Sequence, residues 1–246
     1  EIKKRIAVVS YPSEENSFTQ KYSSLCDGRV IWGGDETIRQ VQKCTISPQA
    51  EEICFPDRFS AAVFNAEEVL RLSEEELKSL AANFYRDTYD MDQNACSSPS
   101  LVLWYEEKPG EGIKAKERLW PAVKEQAERY TLTEKQAYEK YRLLCSLAVR
   151  RQDWMEAKRY GNLLYVVPLK TIEEDTWKAR GNSGFFLEYT MKNLDELKKI
   201  SGKKAQTLVF FGFDKERLKE KIIKFRTKGF SRIVPVGQAL EMDITW

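Results

Sequence analysis

Histidine is missing altogether from these 246 residues. That removes the Cys-His and Ser-His-Asp nucleophile pairs, imidazole acid–base work and most transition-metal sites. A thiol enzyme built from this chain has to activate its cysteine by other means. The five cysteines (Cys26, Cys44, Cys54, Cys96 and Cys145) are odd in number, and none forms a C-x-x-C pair. A disulfide framework is therefore not expected; the usage fits a reducing compartment, the cytoplasm. No apolar run approaches the ~18 residues of a membrane span, and nothing at the start resembles a signal peptide. Forty Lys and Arg stand against 38 Asp and Glu, for a net charge of +2. So near a balance supplies no field for nucleic acid or an anionic membrane. The first residue is Glu1 rather than Met, as expected of a processed protein or a piece of a longer one.

What is present is an alternation of strand and helix patterns. Strands are predicted at Ile6–Tyr11, Arg29–Trp32, Phe59–Phe64, Ser100–Tyr105, Leu163–Val167, Phe185–Tyr189 and Thr207–Phe211, and the chain ends with the stretch Arg232–Gln238. Helices are predicted over Asp35–Lys43, from the Ser73-Glu-Glu-Glu76 capping box to about Tyr89, over Lys114–Tyr130, over Thr133–Arg151, from Asn193, and over Asp214–Lys228 with Gly229 as its stop. In the last of these Leu218, Ile222 and Phe225 face inward. There is no internal repeat, low-complexity tract or long linker. This spacing predicts an α/β protein with a mostly parallel sheet covered by helices on both faces.

Three stretches carry candidate chemistry. Trp32-Gly33-Gly34-Asp35 ends a strand and opens a helix, leaving free amides where a phosphate can sit. A tight strand–helix turn explains the glycines as well, and Asp35 and Glu36 would repel an anion. Arg180-Gly181-Asn-Ser-Gly184 could receive a phosphate or ribose, although an ordinary turn is the simpler reading. Cys96 lies in Asp90-Met-Asp-Gln-Asn-Ala-Cys-Ser-Ser-Pro99, a polar loop between a helix and a strand, where α/β enzymes often place reactive groups. Asn94, Ser97 and Ser98 offer hydrogen-bond donors near the sulfur, so Cys96 and Asn94 are the candidate catalytic pair. The bland alternative is an idle loop thiol. The other four cysteines read as small apolar fillers, with Cys145 in the core.

Taken together and in order, Trp32-Gly-Gly-Asp35, Asp92-Gln-Asn-Ala-Cys-Ser-Ser-Pro99, Arg180-Gly181 and Arg232-Ile-Val-Pro-Val-Gly-Gln-Ala-Leu240 resemble the acyl-CoA reductases of the bacterial luminescence fatty-acid reductase type (LuxC-like). That family is a branch of the aldehyde dehydrogenase superfamily. The resemblance runs from about Leu25 to Trp246; residues 110–159 hold no matched motif. It implies an aldehyde-dehydrogenase-like catalytic domain with Cys96 as acyl-accepting nucleophile. It also implies NADPH or NADH as cofactor, with Trp32, Gly33, Gly34, Arg180 and Gly181 as contacts, and no metal. The implied reaction is attack of Cys96 on an acyl-CoA, followed by hydride reduction of the acyl-cysteine to an aldehyde. Hydrolytic members activate water with a glutamate in a glycine-rich motif ahead of the nucleophile. Here that region reads Glu52-Ile-Cys-Phe-Pro-Asp57, without the glycines, which agrees with reduction.

Members of the family are about twice as long, and their N-terminal half builds much of the cofactor domain and supplies an oxyanion-holding asparagine. Residues 1–246 are thus expected to be the nucleophile-bearing part of a longer enzyme. Luminescence-type reductases work with an acyl-protein synthetase, which keeps a second reading open: an acyl-relay module that accepts an acyl group without hydride chemistry. A degenerate relative recruited to glycan biosynthesis is a third. Association of identical chains is compatible with all of them.

Overall fold

The computed structural model describes residues 2–150 and 156–242. The chain divides into two compact units, residues 1–57 and 58–246.

In the first unit, α1 (Asn16–Leu25) leads to β1 (Gly28–Gly33), α2 (Asp35–Gln42) and β2 (Glu51–Pro56). The two strands pair in parallel, with Trp32 opposite Phe55. β2 was not expected, because Glu-Glu-Ile-Cys-Phe-Pro mixes charge with apolar residues. Its alternation in fact places Glu52 beside Arg29 of β1, where the two form an ion pair, with Arg29 Nε donating to Glu52 Oε2 at 2.6 Å. The expected strand Ile6–Tyr11 does not form. Ile6, Val8 and Val9 stand exposed, and an apolar run without a neighbouring strand has nothing to take up its backbone hydrogen bonds.

The second unit holds a seven-stranded sheet. Its members are β3 (Phe59–Asn65), β4 (Pro99–Tyr105), β5 (Lys158–Tyr160), β6 (Leu164–Pro168), β7 (Phe185–Met191), β8 (Ala205–Phe211) and β9 (Arg232–Pro235). The order is β5-β6-β7-β4-β3-β8-β9. All pairings are parallel except β5 against β6. The central strands are apolar on both faces, as strands covered on both sides must be. On one face Ala62, Phe64, Val102, Trp104, Phe186 and Val209 pack against α3 (Ala66–Arg71), α4 (Glu74–Thr88) and α5 (Glu111–Ala127). On the other, Val63, Leu103, Leu187 and Leu208 meet Leu147 of α6 (Glu134–Arg150) and Leu218 and Ile222 of α7 (Lys215–Lys224). The predicted α/β class with a helix-covered, mostly parallel sheet is the observed one. A buried carboxylate, Glu188, accepts the indole N–H groups of Trp104 and Trp120 at 3.1 and 2.9 Å, with Lys116 at 3.4 Å.

Local signals behave as their chemistry dictates, with three exceptions. The Ser73–Glu76 capping box is complete, and Thr133 and Gln136 cap α6 reciprocally; the expected end of α6 at Arg151 lies outside the described residues. The segment after Asn193 is a 3-10 helix, Leu194–Ile200, rather than an α-helix. The Asn193-Leu-Asp-Glu196 capping-box pattern in the sequence is not completed, because the Glu196 carboxylate takes the Lys192 N–H and the Tyr189 hydroxyl. Helix α7 ends well before Gly229: Arg226, at φ 54, takes the left-handed position. Gly229 is needed for close approach, since a Cβ there would lie 2.6 Å from the Ser201 carbonyl carbon. Finally, Cys145 is exposed, not core; Leu143, Leu144 and Leu147 form the inward stripe of α6.

The ending Arg232–Leu240 is tied down by one buried carboxylate. Asp87 accepts the N–H groups of Gly237 and Ala239 at 2.6 and 2.8 Å, while the Arg232 guanidinium donates to the carbonyls of Ala239 and Gln238. Burial pushes the Asp87 carboxyl up to about 6, against the pull of the two amides and of Arg86 and Arg232. Replacing Asp87 with Ala orphans two buried donors, at about 1–3 kcal/mol each. Urea unfolding of Asp87→Ala is expected to show a loss of about 2–6 kcal/mol. The folded carboxyl keeps its proton up to about pH 6, whereas the unfolded one releases it near 3.8. Its contribution to stability is therefore full below the lower value and is lost as pH rises through the upper one. That part of the decline should vanish in Asp87→Asn.

Candidate active site

Helix α4 runs out at Thr88, whose hydroxyl donates back to the Phe84 carbonyl at 2.6 Å. A 3-10 turn, Tyr89–Met91, follows, and then Asp92 and Gln93 both adopt left-handed backbone angles, φ 53 and 58. Two consecutive non-glycine residues there are strained, so something must hold them. Gln93 N–H donates to Thr88 O at 2.7 Å. The Gln93 side chain is buried and fully used. Its Nε2 donates to the carbonyls of Pro99 and Phe185 at 3.0 and 3.1 Å. Its Oε1 accepts from the N–H groups of Gly184 and Phe185, each at 3.0 Å. One carboxamide thus ties the loop to the first residues of β4 and β7. Asp92 adds two more ties: its carbonyl accepts from Ser183 N–H at 3.0 Å, and its carboxylate accepts from the Tyr130 hydroxyl at 2.5 Å. Burial, and then the bond to Asp92, push the Tyr130 phenol up to about 12.

Cys96 stands three residues further on, half-buried. Its carbonyl accepts from the Ser60 hydroxyl at 2.7 Å, and Ser60 in turn accepts from Thr207 N–H at 3.1 Å. The thiol loop is thereby pinned to the starts of β3, β4, β7 and β8, at the amino edge of the sheet. Asn94 is exposed, and its carboxamide has no partner among the described residues; nor has the N–H of Cys96. Both remain available as donors in the thiol loop. Ser97 and Ser98, read as donors near the sulfur, are buried, and their hydroxyls find no partner among the described residues.

The Arg180–Gly184 turn precedes β7, so Arg180 and Gly181 reach the same edge as Cys96 and Asn94. Its glycines answer to packing and backbone geometry. A Cβ on Gly181 would lie 2.6 Å from Phe185 Cγ, and Gly184 sits at φ +86. The Arg180 guanidinium lies 4.9 Å from the Trp177 ring centre.

Trp32, Gly33 and Gly34 belong to the first unit. Trp32 is 75% exposed and stacks on Phe55 at 4.7 Å. Gly34 is the N-cap of α2 with no side-chain cap, and a Cβ on it would meet nothing within 4 Å. This open, uncapped helix start has room for a ligand against the backbone, while Asp35 and Glu36 occupy its first turn. Glu52 is engaged by Gln42 and Arg29, which hold its carboxyl below the usual range. Cys54 is pushed the other way, by partial burial and then by the Glu52 charge, and so stays a thiol. Sequence reasoning passed over Gln93, because the amides it accepts lie 91 and 92 positions further along and nothing local marks them. Among the described residues no cluster of three or more His, Cys, Asp or Glu could hold a metal.

Replacing Gln93 with Leu leaves Gly184 N–H, Phe185 N–H and the Pro99 carbonyl without that partner. Chemical denaturation is expected to register a loss of about 2–4 kcal/mol, and the Cys96 loop should gain hydrogen exchange.

The chain can now be set beside known proteins. It resembles in fold an NAD-dependent aldehyde dehydrogenase from Sinorhizobium meliloti (TM-score 0.60, 14% identity, 88% of this chain and 45% of that one). It likewise resembles the putative aldehyde dehydrogenase PutA from Anabaena variabilis (0.59, 10%, 93% and 50%). A third is a 1-pyrroline-5-carboxylate dehydrogenase from Thermus with bound NAD (0.54, 10%, 85% and 42%). The chain thus spans half or less of the length of these structures. No curated protein sequence matches it. The profile of the acyl-CoA reductase (LuxC) family matches residues 1–245, including the first 24 residues and the middle stretch where no motif was legible. By that match over nearly its whole length, the chain belongs to the acyl-CoA reductase (LuxC) family.

Proposed function

We propose that this chain is the nucleophile-bearing part of an NADPH- or NADH-dependent reductase that converts a fatty acyl-CoA to an aldehyde. The observation that carries the proposal is the Cys96 loop: a half-buried thiol, pinned through Gln93 and Ser60, with free donors in Asn94 and its own amide. In this reading Cys96 Sγ attacks the thioester carbon, the carbon–sulfur bond to CoA breaks, and CoA leaves as its thiolate. The acyl group then rests on Cys96. The Cys96 N–H and the Asn94 carboxamide stabilise the oxyanion that develops during attack; losing one such donor typically costs about 10²–10³-fold in rate. Trp32, Gly33 and Gly34 hold the nicotinamide cofactor, for which their uncapped helix start and open face leave room. When bound, the cofactor supplies the hydride that reduces the acyl thioester. The NAD bound to the Thermus neighbour supports a nicotinamide group. Glu52, committed to Arg29 and Gln42, is a poor candidate for activating water, which favours reduction over hydrolysis. The acyl group arrives from acyl-CoA or through a partner acyl-protein synthetase.

Intact-mass spectrometry after incubation with a long-chain acyl-CoA tests this in the protein that carries the chain. A single acyl adduct on Cys96 is expected, cleared on adding NADPH or NADH. It should be absent in Cys96→Ser and unchanged in Cys54→Ser and Cys145→Ser. Labelling that persists in Cys96→Ser sinks the assignment, and an adduct indifferent to both cofactors turns the reading to an acyl relay.

A further inference from the structure

Lys140 is a buried charge that the chemistry above leaves unused. It enters the interior of the second unit from α6 and is 3% exposed, with no carboxylate in ion-pair range among the described residues. Its Nζ donates to Ser183 O at 2.6 Å and to Leu163 O at 3.3 Å, and lies 5.1 Å from the Tyr165 ring centre. Burial depresses its pKa to about 8, the signature of a cation held where it costs stability. An apolar side chain of similar length would fill the space without that cost. What such a side chain lacks is donors.

The position of those donors is informative. Ser183 sits at φ 56, a left-handed geometry without glycine's freedom. Its carbonyl is fixed by Lys140 and its N–H by Asp92 O. The next two amides, Gly184 and Phe185, are those that Gln93 accepts. A three-residue turn therefore receives Lys140 on one side and grips Asp92 and Gln93 on the other, three residues ahead of Cys96. We propose that Lys140 is a positioning residue for Cys96: its hydrogen bond to the Ser183 carbonyl sets the 183–185 turn that holds Asp92 and Gln93 in their left-handed geometry, and its second, to Leu163 O, fixes the ammonium group in place. The proposal rests on reading Cys96 as the acyl acceptor, and its test separates the two.

Lys140→Met, Lys140→Arg and the exposed same-helix control Lys135→Met are compared with wild type in the intact protein. In Lys140→Met the rate of acyl transfer from a long-chain acyl-CoA to Cys96 should fall about tenfold to a hundredfold, the scale of a small misplacement of reacting groups. The apparent KM should hold, and the melting temperature should stay level or rise, because a buried cation has gone. Lys140→Arg, with donors for the same carbonyls, should recover part of the rate, and Lys135→Met should match wild type. Deuterium uptake of residues 88–99 should increase in Lys140→Met. A residue that merely fills the core would lower melting temperature and rate together, and that result overturns the proposal. So does acylation within twofold of wild type, or unchanged uptake of residues 88–99. If wild-type Cys96 takes no acyl group, the catalytic reading fails and exchange alone decides the link from Lys140 to the loop. Should Lys140→Met not fold, Lys140→Gln, which keeps one donor group, carries the same comparison.

Discussion

Four hydrogen bonds to the carboxamide of Gln93 decide where the candidate nucleophile stands. A parallel sheet leaves the first amides and carbonyls of each strand to be satisfied from outside the ladder. Here a single side chain meets those of β4 and β7 at once and draws a strained turn against them. The left-handed angles at Asp92 and Gln93 are tolerable because the turn is held at both ends, by Thr88 behind and Ser183 ahead. The loop that follows has little freedom left, and the hydroxyl of Ser60 takes up the carbonyl of Cys96 itself.

This places the candidate nucleophile at the amino edge of the sheet. Open parallel sheets usually bind ligands at the carboxyl edge, and in this unit a cleft of about 410 Å³ does open there, among Asn65, Tyr105, Gly212 and Arg217. The thiol loop is not part of it. A loop entering a parallel strand can be anchored by the neighbouring strands' starts, so the amino edge offers rigidity where the carboxyl edge offers a crevice. For a covalent nucleophile, held position matters more than enclosed volume.

Much of the fold was legible because its signals are local. The Ser73–Glu76 box and the apolar runs of β3, β4, β7 and β8 need only a few consecutive residues to be read. Failures came where partners are distant or absent. Ile6–Tyr11 has a strand's composition but no neighbour to pair with. Glu51–Pro56 lacks the composition yet finds β1. In Leu143-Leu-Cys-Ser-Leu147, composition alone could not say which residues face inward, and Cys145 was misassigned. At the site, Cys96 was conspicuous as a polar-loop thiol, whereas Gln93 owes its role to residues 91 and 92 positions further along. Asp87 reaches 150 and 152 positions to the chain's ending.

Those separations also have a bearing on time. The anchors of the thiol loop are Ser60 before it, Gly184 and Phe185 well after it, and Thr207, which meets Ser60 across 147 residues. Contacts so far apart in sequence form late and slowly. While the polypeptide is being made N-terminus first, Cys96 emerges long before β7 and β8 exist to receive its loop. A nascent or half-folded chain therefore carries the thiol without the geometry around it. The loop's geometry should be complete only when the sheet closes through its centre, and any chemistry that depends on that geometry starts no earlier.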